Sequence, residues 1–219
     1  MERKAEPELM DLHDEVEAYA KADFAEVNQR FVDRLLELSA IISSPIVRAV
    51  DLGTGPGDIP IRVAKVRPQW QIIAVDGSAP MLDVARKSTA QAGVTNIEFV
   101  LADAKDTRLS PASLDIVFSN SILHHVSDPL AFWREVKRIA KPGALIFVRD
   151  LFRPNSDSAV RKLVAQHAAG ESRLLQEEFC RSLLSAYTVD EVCAQLSTAD
   201  LSSLKVALVS DRHLDAWGA

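Results

Sequence analysis

Apolar positions along this chain follow two periods in turn. Phe24, Val27, Phe31, Leu35 and Leu38 recur every three or four residues, one stripe of a helix predicted over residues 10–38. From residue 46 the pattern shortens. Compact apolar runs at 46–50, 71–76, 97–103, 114–120 and 144–150 read as buried strands. Helical stretches separate them. One covers 59–66 with Pro60 in its first turn; the next starts at the N-cap Ser78 and stops at Gly93. A third is opened by Asp128-Pro129, carries Phe132, Trp133, Val136 and Ile139, and is closed by Pro142-Gly143. Strand and helix in strict alternation predict a parallel sheet covered on both faces. The alternation pauses at residues 155–186, which read as two helices. Thr188 to Glu191 then forms a capping box, and residues 204–209 and 212–217 are two further strands about a Ser210-Asp211 turn. The prediction is an α/β, doubly wound sheet of seven strands, with an N-terminal helix and a helical cap after the fifth strand.

The 219 residues suit one domain with additions, and no apolar run approaches the ~18–20 residues of a membrane helix. The first eight residues lack the apolar stretch of a signal peptide and read as disordered. Cys180 and Cys193 are expected to be free thiols on helices, and the chain is expected to be cytoplasmic. The net charge of −6 is placed unevenly. Residues 1–28 hold nine acidic and three basic side chains, and the rest carry 22 of each sign. With no basic excess to meet a phosphate backbone, nucleic acid is not an expected partner. The acidic run reads as a solvated face.

The chemistry is concentrated in Val50-Asp51-Leu52-Gly53-Thr54-Gly55-Pro56-Gly57-Asp58, at the turn from first strand to first crossover helix. In an open α/β sheet a nucleotide-like ligand sits at the carboxyl end of that strand. Glycines at alternate positions imply a sharp turn and a close approach. Their spacing is G-x-G-x-G, which sets aside the G-x-G-x-x-G dinucleotide fingerprint.

This stretch resembles motif I of the class I S-adenosylmethionine-dependent methyltransferases. Asp76 ending the second strand, Met81 after it, Asp103-Ala104 after the third, and the fourth-strand stretch running into Ser121-Ile122-Leu123-His124-His125 match the same family in order. The likeness covers about residues 47–150 and is nearest the small-molecule, ubiquinone/menaquinone-methylase-like type. It implies a Rossmann-like, mostly parallel sheet whose last strand is antiparallel. Residues 1–42 would be a helical extension and 43–219 a single S-adenosylmethionine-binding domain, with 155–187 as the cap.

The resemblance also implies site residues. S-adenosylmethionine would meet Asp51 at its amino-acid end, Gly53, Thr54, Gly55 and Gly57 along the turn, and Asp76 and Gly77 at the ribose. Met81 would meet the adenine face, and Asp103 and Ala104 the adenine edge. Asn120, ending the fourth strand, is a further cofactor-binding candidate. His125 or His124 is the candidate base, following the fourth strand where the acceptor belongs. Asn120-Ser121-Ile122-Leu123 replaces the Asn/Asp-Pro-Pro-aromatic stretch of amino-methylating branches. Asp150 has only Asn120 as an obvious neighbour, so no metal is expected. Tyr19, Asp23, Phe24 and Asn28 are candidates to line the site from the N-terminal helix. For the acceptor, Arg149, Arg153 and Arg212 with His213 would suit an anion, while Phe179, Tyr187 and the cap would exclude water. The expected partner is a small-molecule methyl acceptor. Aminopropyl transfer, or a non-catalytic cofactor-binding module, are the alternatives on the same fold.

Overall fold

The computed structural model describes residues 1–8, 16, 19 and 22–219. Seven strands form one sheet: β1 (Arg48–Leu52), β2 (Gln71–Asp76), β3 (Ile97–Leu101), β4 (Leu114–Asn120), β5 (Ala140–Leu151), β6 (Lys205–Leu208) and β7 (His213–Gly218). Their order is β3-β2-β1-β4-β5-β7-β6. The first five are parallel, and β7 runs antiparallel to both β5 and β6. The seven-stranded expectation holds, including the antiparallel pairing near the chain's end.

Seven α-helices are described: α1 (Ala25–Leu38), α2 (Asp58–Val66), α3 (Ala79–Ala92), α4 (Pro129–Ile139), α5 (Asp157–His167), α6 (Arg173–Ser185) and α7 (Val189–Thr198). Successive strand residues face opposite sides. Val50, Leu52, Val117, Ile146 and Val148 therefore pack with Phe132 and Trp133 of α4 and Val192 and Leu196 of α7. Ala49, Ile116, Phe118 and Phe147 pack the other way, on Phe31 and Leu35 of α1 and Val63 of α2. Helices α5 and α6 carry a small core of their own, built on Val160, Leu163, Leu183 and Ala186. That is the predicted cap, and Leu183 belongs to its interior.

Local signals behave as expected at several ends. Ser78 accepts from the Met81 amide, Gly93 is left-handed after α3, and Thr188 with Glu191 forms the capping box of α7. Three expectations change. Much of the predicted 10–38 helix lies outside the described residues, and the described helix begins at Ala25, where the Asp23 carboxylate accepts the Ala25 amide. α4 stops at Ile139, so Lys141, Pro142 and Gly143 belong to a long β5 that shifts register opposite Leu114 and Ile116. The first eight residues are packed down. Arg3 donates to the carbonyls of Ser185 (2.5 Å) and His124 (2.9 Å) and lies 4.2 Å over the Tyr187 ring. Glu8 accepts from Ser127 and Lys105, which overcomes its burial and lowers its pKa to about 2.

Candidate active site

β1 has β2 on one side and β4 on the other, so the chain leaves the sheet in opposite directions at their carboxyl ends and opens a crevice there. A cavity of about 570 Å³ fills this crevice. Of the residues expected at the cofactor, Asp51, Gly53, Thr54, Gly55, Asp76, Gly77, Met81, Asp103, Ala104 and Asn120 all line it.

The glycines divide the labour of the turn. All three have positive φ, at 74°, 54° and 83°. A Cβ on Gly53 would lie 2.1 Å from Ile122 Cγ2, and one on Gly57 2.9 Å from the Ala85 Cβ. Among the described residues a Cβ on Gly55 would meet nothing within 4 Å, because this residue faces the cavity. Gly57 is not part of the lining, contrary to expectation: it lets α2 approach α3.

Two carboxylates stand behind the turn. Asp51 is 2% exposed and accepts from Thr54 Oγ1 at 2.8 Å. Burial pushes it up to about 7 against the pull of that hydroxyl, with the charge of Asp76 adding to the rise. Asp76 accepts from the Gly55 amide at 2.7 Å and the Ser78 amide at 2.8 Å, so it orders the turn as well as facing the cavity. Asp103 is pinned beside Lys105 at 3.0 Å.

Two features show that the cavity suits the cofactor. The open space over Gly55 leaves room for a ligand against bare backbone. The buried Asn120 Oδ1 has no hydrogen-bond partner among the described residues, a cost that a ligand donor would relieve.

A second cavity of about 210 Å³ shares Tyr19, Asp23, Phe24, Asn28, Asn120, Ser121 and His125 with the first. It continues toward Leu151, His167, Leu175, Phe179, Arg212 and His213. Tyr19, which burial raises to about 12, stands where the two meet. Ser121 stands there too, with a positive φ of 59° that no sequence signal announced. His124 Nδ1 is 2.5 Å from Asp150 Oδ1, and the same carboxylate accepts the His124 amide at 3.1 Å. Burial alone would lower this imidazole, yet Asp150 and then Glu6 hold it above the usual histidine range. His125 goes the other way: burial and the neighbouring His124 push it down to about 3. Its Nδ1 lies 3.2 Å from Glu6 Oε1 and 3.3 Å from the Pro7 carbonyl.

Of the acceptor candidates, Tyr19, Phe179, Arg212 and His213 come together around the second cavity, and Arg149, Arg153 and Tyr187 do not. Arg149 is buried in a bidentate pair with Asp215, at 2.6 and 2.8 Å. The two residues are direct partners in the β5–β7 register, so the arginine is spent inside the sheet. Arg153 is tied to Glu191 and to the carbonyls of Ala186 and Met1. The Tyr187 hydroxyl donates to the Val126 carbonyl. Glu6, Glu8 and Asp150 stand beside the histidines with no local signal in the sequence to announce them.

Comparison with known proteins bears on this arrangement. Residues 43–193 match the family model described as a methyltransferase domain. The malonyl-[acyl-carrier protein] O-methyltransferase of Xylella fastidiosa (strain M23) is 31% identical over 134 residues, 61% of this chain and 44% of that protein. The ubiquinone biosynthesis O-methyltransferase of Xanthomonas campestris pv. campestris (strain B100) is 28% identical over 137 residues, 62% of this chain and 56% of that one. The chain thus spans about half the length of these curated relatives. The crystal structure of an S-adenosylmethionine-dependent methyltransferase from Aquifex aeolicus superposes with a TM-score of 0.67 at 19% identity, covering 93% of this chain and 96% of that one. With the glycine turn, the strand-end acids and the family match in agreement, this chain belongs to the class I S-adenosylmethionine-dependent methyltransferases.

Proposed function

We propose that the chain transfers a methyl group from S-adenosylmethionine to a small molecule seated in the second cavity. The observation that carries this reading is the meeting of the two cavities at Asn120, Ser121 and His125, which gives a methyl group a short path between them. Bound in the larger cavity, the cofactor supplies a sulfonium-activated methyl group. The chain's own work is alignment, exclusion of water and handling of the acceptor's proton.

Asp51 would balance the amino group of the cofactor, Asp76 would accept from its ribose, and Met81 with Asp103 and Ala104 would hold its base. For a hydroxyl acceptor, a proton on His125 Nδ1, shared between Glu6 and the Pro7 carbonyl, leaves the Nε2 lone pair to accept. His124, braced by Asp150, fixes the loop that carries this ring. Leu151, Leu175 and Phe179 favour an acceptor with an apolar body, and Arg212 or His213 would meet a polar end. The malonyl-carrier and ubiquinone O-methyltransferases among the relatives fit oxygen as the methylated atom. The quinone-methylase-like subtype and a place in small-molecule metabolism belong to this proposal. Among the described residues no helix is long and apolar enough to cross a membrane.

The test is incubation with methyl-labelled S-adenosylmethionine and a panel of hydroxylated aromatic and acyl compounds. Label in a new product supports the reading. Tight cofactor binding with no labelled product across the panel and a cell metabolite extract would instead favour a binding module.

A further inference from the structure

Beside the methyl path, one cluster of side chains has an arrangement that neither binding the cofactor nor holding the acceptor requires. Glu6, from the N-terminal segment, meets His124 and His125 from the loop between β4 and α4. One ligand-type atom from each residue lies within 4.8 Å of the others. A single carboxylate oxygen, Glu6 Oε1, stands 3.2 Å from His125 Nδ1 and 3.7 Å from His124 Nε2. The second separation is beyond hydrogen-bond reach. Both are close to the ~3.3 Å edge expected between two ligands of a tetrahedral ion with bonds of about 2.0–2.1 Å.

From this geometry we infer that Glu6, His124 and His125 form a site for a borderline divalent transition-metal ion, of the class of Zn²⁺ or Fe²⁺. Two imidazoles and a carboxylate suit such ions, whereas Mg²⁺ and Ca²⁺ prefer an all-oxygen shell. The supporting shell is in place. Asp150 holds His124 by Nδ1 at 2.5 Å, which leaves Nε2 for the ion, the carboxylate–histidine–metal arrangement. The Ser185 hydroxyl donates to Glu6 Oε1 at 2.8 Å and fixes the carboxylate. The site is secluded, with the Glu6 and His124 side chains 5% and 4% exposed.

Among the described residues the ligands number three, which leaves a position open, as in catalytic rather than structural sites. His125 lines both cavities and His124 the second, so the open position adjoins the acceptor's place. An oxygen of the acceptor would occupy it. His125 would then bind the ion through Nδ1, giving up the proton of the base role, and the ion in place of Nε2 would make the acceptor hydroxyl acidic. That last step rests on the methyl-transfer reading; the site itself does not. An ion there would also fasten the N-terminal segment to the loop between β4 and α4.

The test uses the full chain, stripped with a chelator and free of cofactor. Co²⁺ titration followed by visible absorption, and Zn²⁺ titration by calorimetry, should each show about one ion per chain. The Co²⁺ band should have the intensity of a four- or five-coordinate ion, and Zn²⁺ should raise the melting temperature. Glu6→Gln should weaken Zn²⁺ binding at least tenfold, and Asp150→Asn by about 10–100-fold. Glu8→Gln, which removes a neighbouring anchor of the same segment, should leave it within about twofold. The absence of a stoichiometric Co²⁺ band in the wild type would overturn the site, whatever the variants do. So would Zn²⁺ affinity unchanged in Glu6→Gln. Because no cofactor or acceptor is present, failure here leaves the methyl-transfer assay unaffected, and the reverse also holds.

Discussion

The cofactor side and the acceptor side of this molecule are built by different means. The first is made at the carboxyl ends of β1, β2 and β4 and just past β3, by side chains and glycines within a few residues of a strand end. The second is gathered from Tyr19 and the start of α1, the loop after β4, the cap helices and the turn before β7. Backbone geometry dictates the one, and tertiary packing assembles the other. A ligand common to a large family is thus met by local structure, while what differs between members is left to segments that can change without disturbing the sheet.

The largest effect expected from breaking this division is on stability. Arg149→Ala would leave Asp215 buried and unpaired, at a cost of about 3–5 kcal/mol. Urea denaturation should show this loss, and replacing both residues with apolar ones should recover most of it. If the single variant instead kept its stability and raised only the acceptor KM, Arg149 would belong to the acceptor side. Within the glycine turn the contrast is sharper. Gly53→Ala adds both a left-handed strain and a 2.1 Å clash with Ile122, about 2–4 kcal/mol together. Gly55→Ala adds only the strain, about 1–2 kcal/mol, yet should lower cofactor affinity at least tenfold. Comparable denaturation midpoints for the two would contradict the roles given to them.

The sequence made the first region readable and left much of the second hidden, for a physical reason. Asp76, Asp103 and the three glycines match the family's motifs in order, and each lies close to a strand end that the apolar runs locate. Arg149 looked available because its partner, Asp215, is 66 residues away and is found only through the antiparallel register of β5 and β7. Residues 1–8 looked disordered because they are short, charged and without period. Their anchors are carbonyls and side chains more than 90 residues distant. Gly57 had the spacing of a cofactor glycine, but its neighbour is Ala85.

A middle-sized effect is expected at the carboxylates. Asp76→Ala removes a charged acceptor worth about 1.5–3 kcal/mol per bond, so S-adenosylhomocysteine affinity should drop at least tenfold, and Asp76→Asn less. Equal, wild-type-like binding by both would place the ribose elsewhere. For Asp51 the sign follows from its pKa of about 7, raised from 3.8. The free folded chain binds this proton more tightly than the unfolded one. Its stability therefore declines as pH rises between about 4 and 7. An amino group beside Asp51 favours the carboxylate, so affinity should weaken as pH falls below 7, by at most about tenfold per unit. Calorimetry across this range should show the slope in the wild type and a flat profile in Asp51→Asn.

The smallest effect sharpens the acceptor side. Arg212 is already engaged with Asp211 and His167, so Arg212→Ala should raise the acceptor KM only several-fold and leave cofactor affinity within about twofold. A change in cofactor affinity instead of KM would place Arg212 on the cofactor side.

If the turn after β1 is the seat of S-adenosylmethionine, calorimetric titration of S-adenosylhomocysteine into wild type and Gly55→Val will separate the two proteins. The side chain of the variant would project into open cavity space. About one site per chain is expected in the wild type, and no measurable heat of binding in a Gly55→Val protein that keeps its circular dichroism. Wild-type affinity in the folded variant would contradict this.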